Sequence, residues 1–391
     1  MSISPSPLSS PALVTFAALA CLLGCSPTSN GEGPQDPTDV TAPVPEASVK
    51  PITVVGYTGS ELLSELEGAR ALLLVDKWAE AAKAFDHLRR LAVKSPEIAA
   101  LALFNSGVAH EGLGRREVAL ERYRELSREH PTDPVTKNGL IRMTRLLGYL
   151  ERWDELGQTA DLLIARQKSL PAMDKIEAFG AKALSLVELG QVEPAQKWVT
   201  RARDIIEEKR FGRAGTPPMQ LAQVSFALGE IRRLRSEEIK LTPVTGDFPA
   251  VLERRCQGLL DAQDAYTDAM RSRDAHWSAM SGYRVGQLYQ QLHREAMAIP
   301  PPESARTLKQ KQLFEGAMRL RYRILLEKGL KLMASIVRLG ERTGESSFWV
   351  ARARAAQGDL ERALADEKTA LGKLPYTEDE LRAALEKLKG K

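Results

Sequence analysis

From about Gly59 onward, apolar residues recur every three or four positions in helix-length runs, the spacing that lays one stripe along an α-helix. Trp78, Ala81, Phe85 and Leu88 make one such stripe ahead of Pro96. In the next run, from Leu103 to Pro131, Gly107 and Gly114 punctuate the first helix and Ala119, Tyr123 and Leu126 mark the second. Trp153, Leu156, Ala160 and Leu163 repeat the pattern, followed by Gly190, Val192, Ala195, Val199 and Ala202. Ala81, Ala119, Leu156 and Ala195 hold equivalent places at intervals of 38, 37 and 39 residues, so the chain repeats a two-helix unit.

A Gly/Pro break at 213–218 changes the rhythm, and the helices beyond it lengthen. One carries Leu221, Val224, Leu228 and Ile231, a second Leu259, Ala262, Tyr266 and Ala269, and a third runs from Trp277 to Leu292 before Pro300, Pro301 and Pro302. The spacing then predicts a single helix over about 303–339. Phe348, Trp349, Gly358, Leu360, Ala363, Ala370 and Pro375 read as a closing pair, and Thr377 opens a short charged helix over 378–388 that suits an end cap.

The unit from Leu103 to Pro131 resembles the tetratricopeptide repeat, in which small residues let paired helices approach, an aromatic fills the gap and proline stops the second helix. Its period here exceeds the family's ~34 residues. The resemblance implies an all-α, tetratricopeptide-like helical-repeat solenoid, an α-α superhelix. The expected organisation is repeats over 58–210, a divergent helical region over 211–342, and a terminal pair with its cap over 343–391. In that family the first helices of successive pairs line a groove. Carried over, Leu101, Phe104, Val108, Asn138, Ile141 and Arg145 face it. Phe104 and Val108 stand where carboxylate-gripping relatives place polar residues, which implies an apolar peptide or helix as occupant.

Residues 12–24 are apolar but fall short of the ~20 needed to cross a bilayer, so they read as a signal-peptide core over 1–24. They end in Leu22, Leu23, Gly24 and Cys25, which resembles a bacterial lipobox, although no Lys or Arg precedes the core. The resemblance implies lipidation of Cys25. Ser26 after the cysteine points to the outer membrane, facing the periplasm. Residues 25–57 are rich in Pro, Ser, Thr and Gly and predict a disordered tether. At ~3.1 Å per residue its reach is up to ~90 Å.

A net charge of +4, spread through interleaved acids and bases, argues against nucleic acid as a partner. The histidines, His87, His110, His130, His276 and His293, are scattered and no HExxH or CxxC occurs, so neither metal nor cofactor is expected. With Cys21 and Cys25 in the leader region, Cys256 alone lies in the body, where it reads as packing rather than a nucleophile. Arg321, Lys328, Lys331, Arg338 and Arg342 fall within about a quarter-turn on the long helix, a basic face for an acidic partner or anionic lipid.

The expectation is a non-catalytic, membrane-anchored scaffold that binds protein partners in the cell envelope during assembly of an outer-membrane, secretion, pilus or motility complex. The competing reading is a cell-wall enzyme or accessory whose site lies in 216–342, marked by a pocket with perturbed carboxylates.

Overall fold

The computed structural model describes residues 61–92, 95–212 and 215–389, with side chains through residue 383. The expected signal peptide, Cys25 and tether lie outside the described residues. Every regular element described is helical. In chain order the helices are α1 (Glu61–Leu74), α2 (Trp78–Leu91), α3 (Pro96–Gly112), α4 (Arg116–Glu129), α5 (Pro134–Tyr149), α6 (Trp153–Ile164), α7 (Ala172–Glu188), α8 (Val192–Lys209), α9 (Ala222–Glu238), α10 (Phe248–Met270), α11 (Ala275–Met297), α12 (Leu308–Thr343), α13 (Phe348–Gly372) and α14 (Glu378–Lys389). They group into two compact units that meet in sequence within α9, one up to Ala227 and the other from Leu228.

In the first unit, each pair closes on a turn whose central residue has left-handed backbone: Asp76, Gly114, Glu151 and Gly190. These four positions repeat at the same 38-, 37- and 39-residue intervals as the helix stripes. The second helix of each pair buries the predicted residues: Ala81, Phe85 and Leu88; Ala119, Tyr123 and Leu126; Leu156, Ala160 and Leu163; Ala195, Val199 and Ala202. Glycine permits the approach of paired helices. A Cβ on Gly107 would stand 2.4 Å from the Tyr123 ring, and one on Gly139 would stand 2.8 Å from Leu126. The helix-pair repeat expected from the resemblance is therefore what this unit contains.

The second unit uses the same device in longer helices. A Cβ on Gly229 would meet the Tyr266 ring at 2.6 Å, one on Gly286 would meet Met333 at 2.4 Å, and one on Gly316 would meet Leu381 at 2.7 Å. α12 begins later than expected because Thr307 and Gln310 form a reciprocal capping box, and it ends at Gly344 in left-handed geometry. The expected closing pair over 348–375 is one uninterrupted helix of 25 residues, α13, with Gly358 inside it. A lone glycine does not supply the polar and turn residues that break a helix. The charged helix α14 then packs against α12 through Leu381.

Candidate functional site

Two buried triads of the same design hold the first helices of neighbouring pairs together, one in each unit. On α4, the Tyr123 hydroxyl donates to Glu111 of α3, which also accepts from Arg142 Nη1 of α5 at 2.9 Å. On α10, the Tyr266 hydroxyl donates to Glu230 of α9 at 2.6 Å, and Arg284 of α11 lies 2.8 Å from the same carboxylate. Each tyrosine is also the residue that fills the gap left by Gly107 or Gly229. A single side chain thus closes the helix pair and orients the carboxylate for the next pair.

Glu230 is 1% exposed. Burial pushes its carboxyl up, but Arg284, Arg233 and the Tyr266 hydroxyl outweigh that and hold it below the usual carboxylate range. Burial also raises the Tyr123 and Tyr266 hydroxyls well above their ordinary value. An ionised carboxylate enclosed by two guanidinium groups is a brace; it neither delivers nor takes a proton near neutral pH. Two carboxylates in 216–342 depart from the ordinary range, Glu230 inside this brace and Asp264, held above it by partial burial and exposed on α10.

Further cross-braces extend the pattern. Arg145 of α5 forks onto Glu177 of α7, with Nη2 to Oε2 at 2.8 Å, and the Gln223 amide donates to the Thr144 carbonyl at 3.1 Å. Asp86 of α2 accepts from Ser106 and Arg122, each at 2.8 Å, while the buried His110 ring lies 3.6 Å away. Arg255 is fully buried and reaches Glu295 at 2.9 Å and Ser236 at 2.7 Å. His293 lies 3.7 Å from Glu367, which accepts a hydrogen bond from Arg319 at 2.9 Å. In the second unit, Arg284 and Arg352 both stack over the buried Trp349 indole, at 5.4 and 4.5 Å from its centroid.

The predicted groove changes under this geometry. Leu101, Phe104, Val108 and Ile141 are buried rather than open. α3 is enclosed from Ile98 to His110 by the helices packed around it, and Phe104 meets Tyr123 with ring centroids 5.9 Å apart. An apolar peptide cannot reach them. Asn138 is half-buried, and Arg145 is committed to Glu177. The side chains this face offers to a partner are polar, with Lys137 and Asn138 on α5 and Asp174 and Lys175 on α7. Lys137 and Asp174 pair at 3.4 Å.

The basic face on α12 is also corrected. Arg321 is 6% exposed; it sits at the same helical angle as the buried Leu339, five turns away, on the packed side. Lys328, Lys331, Arg338 and Arg342 are exposed as expected.

Among the described residues, no group of three or more His, Cys, Asp or Glu converges as metal ligands, and no helix is long and apolar enough to cross a membrane. No family model matches the chain, and no curated protein does. Among solved structures, the chain is similar to a tetratricopeptide repeat protein from Parabacteroides merdae ATCC 43184, at 12% identity and a TM-score of 0.41, with 85% of this chain and 100% of that one covered.

Proposed function

We propose that the chain is a non-catalytic scaffold that holds protein partners in the bacterial cell envelope, lipid-anchored at Cys25 to the outer membrane and facing the periplasm. Its task on this reading is assembly of an envelope complex. The observation that carries the reading is the bracing of successive first helices by buried Tyr–Glu–Arg and Arg–Glu contacts. Such bracing fixes a broad surface before any partner arrives, so that little ordering cost is left for binding.

The partner this surface suits is polar, because the row at Lys137, Asn138, Asp174 and Lys175 carries charge and amide groups. The anchor rests on the lipobox-like run ending at Cys25 and on the Pro-rich segment after it, whose ~90 Å reach suits a body working away from the bilayer.

Fractionating cells that express the parent chain or Cys25→Ser tests the anchor. The parent is expected in the membrane fraction with metabolic lipid label, and the variant soluble or unprocessed. Membrane association of the variant with no lipid label on the parent contradicts it.

A further inference from the structure

The outer faces of α10 and α12, the two helices that flank α11, carry opposite charges. On α10, Glu253, Asp264 and Asp268 are exposed and Asp261 half-buried, on the side opposite the buried Leu259, Ala262 and Tyr266. Glu253 and Asp264 have no ion-pair partner among the described residues, and Asp268 has the exposed Arg271 at 3.5 Å. Partial burial, with the neighbouring Asp261 and Asp268 carboxylates, holds Asp264 above its ordinary value. The charge of Arg232 offsets part of that rise and the exposed Arg254 borders the stripe, yet the acids of the α10 face outnumber its cations.

α12 shows the converse. Lys328, Lys331 and Arg338 are exposed and have no carboxylate partner among the described residues; Arg338 meets the Ser335 hydroxyl and Lys328 lies 5.8 Å above the Tyr289 ring. The nearby carboxylates are engaged elsewhere, Glu327 with Arg323 at 3.1 Å and Glu341 with Arg354 at 3.4 Å. Ile324, 46% exposed, lies on the same face.

The register of the two faces follows from α11, which packs between them. Arg255 meets Glu295, and Gln263 accepts from the Tyr289 hydroxyl at 2.6 Å, so α10 and α11 run antiparallel. Gly282 faces Ile336, Gly286 faces Met333 and Tyr289 faces Lys328, so α11 and α12 are antiparallel too. α10 and α12 are therefore parallel, with Gln263, Tyr289 and Lys328 at one level. Asp261, Asp264 and Asp268 consequently stand at about the level of the stretch that carries Lys328, Lys331 and Arg338, across α11.

Parallel stripes of opposite sign at one height are self-complementary under a two-fold axis that lies in the interface, midway between the stripes and parallel to them. Rotation places each acidic stripe over the other copy's basic stripe at the same height, with the helices parallel. We propose that this face is a homodimer interface, in which α10 of one copy docks on α12 of a second copy and the reverse contact closes the pair. The interface does not use the first-helix row, so its failure leaves the proposed scaffold role standing.

Sedimentation velocity on the purified full chain tests it. Dimer is expected at low salt and monomer at about 1 M salt, where the Debye length falls to ~3 Å. Lys328→Glu/Lys331→Glu and Asp261→Lys/Asp264→Lys, each checked for native melting, are expected to weaken self-association ~10-fold or more through like-charge contact. Mixing the two is expected to restore dimers containing one copy of each, because one variant then presents only acidic stripes and the other only basic ones. A parent that is monomeric at low salt, dimers indifferent to salt and to both variants, or variants that fail to pair when mixed would overturn the proposal.

Discussion

Replacing Glu230 by Ala removes the acceptor shared by Tyr266, Arg233 and Arg284, whose contacts to it are 2.6, 2.6 and 2.8 Å. The carboxylate is 1% exposed, so little water enters to replace it. Breaking a buried ion pair by deleting one partner costs about 3–5 kcal/mol, because charges that remain are left uncompensated. For a domain of this size, each kcal/mol moves the melting temperature by roughly 2–4 °C, giving an expected drop of roughly 6–20 °C. Glu230→Gln keeps the shape and one acceptor but not the charge, so its loss falls between parent and Ala. Urea unfolding followed by tryptophan fluorescence, with Trp78, Trp153 and Trp198 of the first unit replaced by Phe in parent and variant alike, reports the second unit through Trp277 and Trp349, both 1% exposed. A loss below about 1 kcal/mol for Glu230→Ala would refute the claim that this triad braces the unit, since an ordinary exposed pair is worth that little.

Gly107→Ala forces a Cβ to within 2.4 Å of the Tyr123 ring; it is expected to cost about 1–3 kcal/mol in chemical denaturation, and a neutral result would mean that the two helices are not held at that distance. Burial, ahead of the opposing pull of Asp86, sets the His110 pKa below its ordinary 6.5, so the unfolded chain takes up a proton there before the folded chain does. Stability at this site is thus full above about pH 6.5 and lost as pH falls toward the folded value. Melting temperatures between about pH 7.5 and 5 should decline less in His110→Asn than in the parent. Phe104→Glu, aimed at a 2% exposed side chain, should act by unfolding the repeat, with lost helical circular dichroism; a folded Phe104→Glu protein would restore the open groove.

Much of the fold was legible because its markers are close in sequence. Gly107, Ala119 and Tyr123 lie within one helix pair, and their spacing alone announces how that pair packs. Gly229 and Tyr266 perform the same packing 37 residues apart across longer helices, which no short motif captures. The buried triads depend on Arg142 and Arg284 reaching back to the preceding pair, and charges on helices of this composition give no hint of which are enclosed.

The groove was misplaced for a reason visible beforehand. From Ile98 to Val108 the chain has no charged residue, and a helix apolar or small on every side is buried rather than lining an open face. Arg321 is the opposite case: its charge suggests solvent, while the buried Ala317 and Met318 one turn before it on the same face place it inside.

The central claim, that braced first helices present a polar surface to a protein partner, is tested most directly by affinity capture from envelope extract. The parent chain is compared with Lys137→Glu/Lys175→Glu, two half-buried positions whose replacement leaves the buried triads intact. The account predicts a protein retained by the parent, in defined stoichiometry, and lost by a variant that melts normally. Equal retention by both, or no stoichiometric partner for either, contradicts it.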